Sequence, residues 1–200
     1  AGGIGRPVAA GDALPVGPDS GPEHVGMMLA TPDRFSGGAV RVLPGVHTDL
    51  FSADERSRFE ATRFHRTLRG NRQGAELAFD GVPFALQSQL SVLSEPMGPG
   101  DIQMTGAGVP FVLLSECQTA GGYPRIGTQL PDDLPLVAQA TPDVPLRFRF
   151  IPHAEGLRAH VTLQARAKAL QGKVQSLIRH PSQVPDLLSQ QLISGAITGW

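Results

Sequence analysis

Polar and apolar side chains alternate residue by residue in three stretches, 39–43 (AVRVL), 62–68 (TRFHRTL) and 146–151 (LRFRFI). Alternation with β-branched or aromatic members marks a half-buried strand, and in the second stretch it puts Phe64 and Leu68 on one face. Residues 109–114 form a continuous apolar run that reads as a buried strand, and 126–130 make a second strand-like segment. Strands are also predicted over 75–79 and 102–105, with two short ones between 83 and 93. Turns rich in Gly, Pro and Asn at 44–45, 69–74, 80–81, 94–100 and 106–108 separate these elements.

Helical signals occur in three places. Ser52 and Glu55 have capping-box spacing, which predicts a helix over 53–61 that buries Phe59 beside the strands. Pro131, Asp132 and Asp133 open a short helix running to Gln139, with both acids at its positive end. Further on, Leu163, Ala167, Leu170, Val174 and Leu177 recur at helical spacing, with Gln164, Lys168, Gln171, Gln175 and Arg179 on the opposite face. That predicts an amphipathic helix over 154–179, about 25 residues, weakened at Gly172 and ended by Pro181. Residues 1–38 show neither period; a loop with one or two short strands is expected there, its short apolar touches lying at 25–29.

So dense a run of strands, with only short helices between them, implies a mainly β fold, a barrel or compact sheet, followed by a C-terminal amphipathic helix. The chain divides into an irregular segment 1–38, a β body 39–152, and a helix with its tail 153–200. Composition agrees: 24 Gly and 18 Pro in 200 residues, without a repeat, mean many turns between short elements. A formal net charge of −1 points to neither nucleic acid nor an anionic membrane as partner. One cysteine leaves no internal disulfide, no apolar run approaches the roughly 20 residues of a membrane span, and a cytoplasmic protein is expected. The late helix carries Arg158, Arg166, Lys168, Lys173 and Arg179 against Glu155, a basic face better suited to packing on the body or a partner than to a membrane surface. The chain opens on Ala1 rather than Met, so a processed product or a fragment of something longer is expected.

The richest chemistry lies in residues 115–127, SECQTAGGYPRIG. Gln118 and Thr119, two neutral hydrogen-bonding groups, precede Gly121 and Gly122 and the chain's single Tyr, Tyr123. Paired glycines admit positive φ and close backbone approach to a ligand, so this is a candidate floor for a small polar substrate; a tight hairpin turn accounts for the same residues equally well. Cys117 has no neighbouring base in sequence, which favours a bystander thiol over a nucleophile. His47 and Asp49 share a face if the chain there is extended, yet two ligands do not make a metal site, and no metal is expected. The run Arg63, Arg66, Arg69 and Arg72 suits the solvent face of a strand and turn, with Arg72 the one candidate for an anion. Glu95, in a loop stiffened by Pro96, is a candidate general base or a carboxylate held by nearby amides. No Walker loop, GxSxG, HExxH or CxxC occurs.

Several segments in order and spacing carry a family resemblance: 41–51 (RVLPGVHTDLF), 71–74 (NRQG), 93–95 (LSE) with 100–103 (GDIQ), 118–126 (QTAGGYPRI), then 133–139 (DLPLVAQ) and 147–148 (RF). They resemble the KipA, or allophanate hydrolase subunit 2, family, also known for the C subunit of 5-oxoprolinase and as the biotin-dependent carboxyltransferase family. The likeness covers roughly residues 1–160, with 118–124 its most specific part. Gln73, Cys117 and Ala120 depart from the family's more usual residues. The resemblance implies a cyclophilin-like β-barrel, the second half of the family domain, with an N-terminal half that 1–38 would complete.

It further implies a subunit of an ATP-dependent 5-oxoprolinase that opens 5-oxoproline to glutamate with a KipI-like partner and a LamB/YcsF-like third protein. The alternative chemistry is transfer of a carboxyl group from carboxybiotin to urea or a similar small amide, with biotin as cofactor. A non-catalytic module that docks a KipI-like protein is a third reading, motivated by the lack of a decisive nucleophile. On the enzyme readings, Gln118, Thr119, Tyr123 and Glu95 are the candidate catalytic residues. Arg72, Gln103, Gly121, Gly122, His47 and Asp49 are the candidate substrate-binding ones.

Overall fold

β-Branched and aromatic residues at alternate positions make strands where the backbone can also find hydrogen-bonding neighbours. A computed structural model of the chain describes residues 9–18, 26–30, 35–86 and 92–176. In order the elements are β1 (Met27–Leu29), β2 (Gly38–Leu43), a 3-10 turn (Thr48–Leu50), α1 (Ala53–Ala61), β3 (His65–Arg66) and β4 (Gly74–Ala78). Then come β5 (Glu95–Pro96), β6 (Asp101–Met104), β7 (Pro110–Leu113), β8 (Ala120–Gly121), β9 (Arg125–Gln129) and α2 (Leu134–Gln139). β10 (Leu146–Phe150), α3 (His153–Ala169), a 3-10 turn (Leu170–Lys173) and β11 (Val174–Ser176) complete them. The chain forms two compact units, Ala1–Ala30 with Gly172–Trp200, and Thr31–Gln171. In the first, β1 pairs antiparallel with β11.

The second unit is built on a curled sheet in the order β10-β2-β9-β6-β7-β4-β3. Neighbours run antiparallel except β10 and β2, which are parallel. Curling brings the two ends of the sheet together: Phe64, just ahead of β3, exchanges both backbone hydrogen bonds with Leu146, the first residue of β10, at 2.9 and 2.7 Å. The expected mainly β, barrel-like fold is what the chain adopts. Its interior is aromatic. Phe59 of α1 is fully buried, with ring centroids 5.1 Å from Phe64, 5.2 Å from Phe148 and 5.7 Å from Phe84. Val40, Val42, Ile102, Met104, Val112 and Ile126 supply the aliphatic remainder from the sheet.

Several elements differ from the sequence reading. Phe64 is buried but Leu68 is 90% exposed, because the chain turns at 68–69 and only His65–Arg66 stays extended. The cap of α1 runs one way: the Glu55 amide donates to Ser52 Oγ at 3.1 Å, while the Glu55 carboxylate takes Arg58 at 2.7 Å instead of reaching back. Asp133 likewise does not cap α2 with its side chain; it accepts from the Arg41 amide at 2.8 Å and from both ends of its guanidinium at 2.9 and 2.6 Å, tying α2 to β2. Burial of this pair raises no conflict, since the Asp133 hydrogen bonds push the Arg41 pKa up.

Residues 83–86 and 92–93 are not strand, and 87–91, where the rest of the expected pair falls, lie outside the described residues. The loop 94–100 contains the short strand β5. The long helix ends at Ala169, well short of 179: the backbone passes through a 3-10 turn around Gly172 and then pairs with β1. Leu177 and Arg179 lie outside the described residues. Gly156 is the buried residue of α3, where a Cβ would meet Leu43 Cδ2 at 2.8 Å, so the helix starts flush against the sheet and most of the rest of it is exposed.

Candidate functional site

A tight hairpin would make β7 and β9 neighbours. They are not: β6 lies between them, so residues 114–124 cross over β6 to reach the far side. The hairpin reading is therefore corrected. The crossing is held at both ends by backbone bonds: the Leu114 and Glu116 amides donate to the carbonyls of Gln73 and Arg72, at 2.9 and 3.0 Å, and the Met104 amide donates to the Pro124 carbonyl at 2.8 Å. Within it, β8 pairs antiparallel with β5, setting Gly121 opposite Glu95, and the Met97 amide donates to the Thr119 carbonyl at 3.0 Å.

Gly121 and Gly122 are needed here, but not for positive φ, which neither adopts. They pass close to other parts of the chain. A Cβ on Gly121 would run into the Met97 thioether, with Gln103 Nε2 at 3.4 Å, and one on Gly122 would lie 2.9 Å from the Val92 carbonyl oxygen. The glycines let the crossing segment pass close to Met97 and the backbone at 92.

That arrangement leaves an open groove of about 230 Å³. Asn71 and Gln73 reach it from the turn before β4, Gln103 and Thr105 from β6 and its end, and Gln118 and Tyr123 from the crossing segment. Phe111, Leu113 and Cys117 supply its apolar part. Gln103 is only 7% exposed, and its side-chain amide donates to Met97 Sδ at 3.0 Å. Asn71 Oδ1 accepts the Gln73 and Gly74 amides at 2.8 and 3.3 Å, which fixes the turn. Burial, with the negative charge of Asp101, pushes the Cys117 thiol up, the direction opposite to that of an activated nucleophile.

Beside the groove, the guanidinium of Arg125 organises a charged cluster. It donates to Glu95 Oε2 at 2.8 Å, Asp101 Oδ2 at 3.0 Å and the Pro96 carbonyl at 2.7 Å. Asp101 also takes the Gly98 amide at 3.1 Å and the Thr128 hydroxyl at 2.5 Å. Buried His47 places Nε2 3.4 Å from Glu95 Oε2, while its Nδ1 is buried without a partner among the described residues. Glu95 is thus held by a guanidinium rather than by loop amides.

The expected set divides in two. Gln118, Tyr123 and Gln103 meet in the groove, with Gly121 and Gly122 shaping it, and Glu95 and His47 meet in the cluster. Three residues go elsewhere. Asp49 does not share a face with His47, because the chain there is a 3-10 turn; its carboxylate is 96% exposed and pairs with Arg56 at 2.6 Å. Arg72 is 82% exposed and pairs with Glu116 at 3.1 Å, so its neighbours Asn71 and Gln73 face the groove in its place. Thr119 contributes its carbonyl to Met97, and its side chain does not line the groove. Of the other arginines, Arg66 donates to the Ala138 carbonyl at 2.6 Å and Arg69 lies 3.7 Å from Glu76, so the run makes no anion site. Among the described residues, no group of three or more His, Cys, Asp or Glu is placed to hold a metal ion.

Arg125 and Asp101 were missed, although both stand inside segments that carried the resemblance. Only the pairing of β6 with β9, irregular between Ile102 and Gln103, brings them together.

A family model for the carboxyltransferase domain, subdomain A and B, matches residues 1–150. The chain belongs to this family, the KipA or allophanate hydrolase subunit 2 family. Among curated members it is similar to the C subunit of 5-oxoprolinase from Escherichia coli, 29% identical over 155 residues, which is 78% of this chain and 49% of that protein. It is 28% identical to the same 5-oxoprolinase component of Haemophilus influenzae over 119 residues, 60% of this chain and 38% of that one. The chain thus spans half or less of the length of these relatives. Among solved structures, the K. lactis urea amidolyase shares the fold, with a TM-score of 0.62 at 18% identity over 78% of this chain and 10% of that one.

Proposed function

We propose that this chain is part of a KipA-like subunit of an ATP-dependent 5-oxoprolinase, acting with a KipI-like partner to open 5-oxoproline to glutamate. The observation that carries the reading is the groove of uncharged donors and acceptors set beside the Glu95–Arg125–Asp101 cluster. Opening a lactam requires its planar amide to be held while the carbonyl carbon becomes tetrahedral and the ring nitrogen gains a proton. Gln118 and Gln103 suit the first task, each offering both an acceptor and donors. Tyr123 offers a hydroxyl to the carbonyl oxygen, and Glu95, fixed through Oε2, keeps Oε1 for water or substrate. The names of the two bacterial relatives support this substrate.

ATP enters as the complex's co-substrate. The groove residues do not fit it, because none of them is a cation that would face a triphosphate, and no step of this chain is routed through it. A LamB/YcsF-like third component completes the assembly in this reading. The family's carboxyltransferase description favours a second reading, in which the same groove holds urea or another small amide that accepts a carboxyl group carried by biotin.

The full-length protein, co-expressed with its partners, tests both readings through ATP-dependent formation of glutamate from 5-oxoproline. The Gln118→Ala, Tyr123→Phe double variant should lower kcat/KM by about tenfold or more with the complex intact. Wild-type turnover by that variant would remove the groove from the reaction. A complex inactive on 5-oxoproline that carboxylates urea with a carboxybiotin donor would favour the second reading.

A further inference from the structure

The Glu95 carboxylate is held by one hydrogen bond and faced by a second group. Arg125 Nη2 donates to its Oε2 at 2.8 Å, while Nη1 of the same guanidinium serves Asp101 and the Pro96 carbonyl. A single N–H···O bond leaves a carboxylate free to swing about it, and the Glu95 side chain, 40% exposed, makes no other hydrogen bond among the described residues. The second group is His47, whose Nε2 lies 3.4 Å from the same Oε2. Its place is set by its neighbour. The Thr48 hydroxyl accepts the Gly45 amide at 2.7 Å and donates to the Ile126 carbonyl at 2.9 Å, which pins the 45–48 turn to β9 one residue beyond Arg125.

The two ring nitrogens of His47 are not equivalent. Nδ1 is sealed from water without a partner among the described residues, whereas Nε2 faces a carboxylate oxygen. A ring proton on Nδ1 would be a buried donor lacking an acceptor, and it would turn the Nε2 lone pair toward those of Glu95. On Nε2 the same proton points at Oε2. At 3.4 Å the contact is long for a hydrogen bond, a length that tightens in many sites once substrate is bound.

From this we infer that His47 is a positioning residue for Glu95: it carries its proton on Nε2 and donates it to Oε2 beside Arg125. Two donors, one from the 45–48 turn and one from β9, then fix a single oxygen, and Oε1 is the atom left to accept a proton from water or substrate. The inference rests on the reading of Glu95 as a carboxylate that takes part in the reaction. It gives His47, a candidate for substrate contact by sequence, the different task of orienting that carboxylate.

Two substitutions separate a hydrogen-bonding role from a packing one. The side-chain nitrogen of His47→Gln reaches as far as Nε2, and that of His47→Asn only as far as Nδ1. In the full-length complex acting on 5-oxoproline, His47→Asn should lower kcat about fivefold or more, the effect of about one hydrogen bond, with KM within about twofold of wild type. His47→Gln should recover most of that loss. In the isotope-labelled full chain, long-range proton–nitrogen NMR at neutral pH should find the His47 ring proton on Nε2. The carboxyl carbon signal of Glu95 should move in His47→Asn and return toward wild type in His47→Gln, while the Thr48 and Ile126 amide signals stay in place. A proton on Nδ1, or a Gln variant no better than the Asn variant in either kcat or the Glu95 signal, overturns the inference. A wild-type complex inactive on 5-oxoproline would sink the functional reading instead, and the ring-proton and Glu95 signals then decide this inference alone.

Discussion

Gly121 and Gly122 look interchangeable in sequence but meet different obstacles. A side chain at 121 meets the far end of Met97, which has three rotatable bonds and can swing aside; one at 122 meets the Val92 carbonyl, which moves only with the backbone. Gly122→Ala should therefore destabilise the protein more than Gly121→Ala, by about 1–3 kcal/mol against under about 1 kcal/mol. Chemical denaturation of the two variants measures this, and a Gly121→Ala variant that is the less stable of the two would refute it. The sequence signalled close approach at this pair correctly, because glycine is the residue that permits it. The partner expected was a ligand, whereas what lies close to these glycines is Met97 and the 92 carbonyl. Arg125 was not legible, because its three acceptors come from two strands, β5 and β6, distant in sequence.

At the scale of elements, local signals were sound where an element depends on itself. Helix α1 runs over the nine residues that its Ser52 cap predicts. Helix α3 was overextended because apolar spacing continues past Ala169, while the backbone there finds a strand partner in Met27–Leu29, more than a hundred residues earlier. Arg41 and Asp133 show the same dependence on distant contacts. Asp133→Ala strands the Arg41 amide and leaves its part-buried guanidinium only the longer contact to Asp132, 3.5 Å away, and should reduce stability by about 1–3 kcal/mol. Asp133→Asn keeps one acceptor and the shape, so it should lose less. Thermal melts of the two variants make the comparison; equal losses would mean that the contact is mere packing.

For the molecule as a whole, the aromatic cluster around Phe59 joins α1 to both β3 and β10, so one residue of a short helix stabilises the sheet's closure. Phe59→Ala should cost about 3–5 kcal/mol, read as a fall in denaturation midpoint without a change in the slope of the transition. The barrel class was legible from many short strands and abundant turns. Strand order was not, and it is strand order, β6 between β7 and β9, that turns a suspected hairpin into a groove. The one bridge between Phe64 and Leu146 has a further consequence for how copies of the protein behave beside one another. Together with Glu60, which accepts the Phe150 amide at 2.7 Å, it occupies backbone groups along the outer side of β10. A strand with its first and last outer amides already taken is a poorer template for another chain to extend, so the seam works against edge-to-edge polymerisation. Association with a partner at that margin is then expected to use side-chain surfaces more than an added strand.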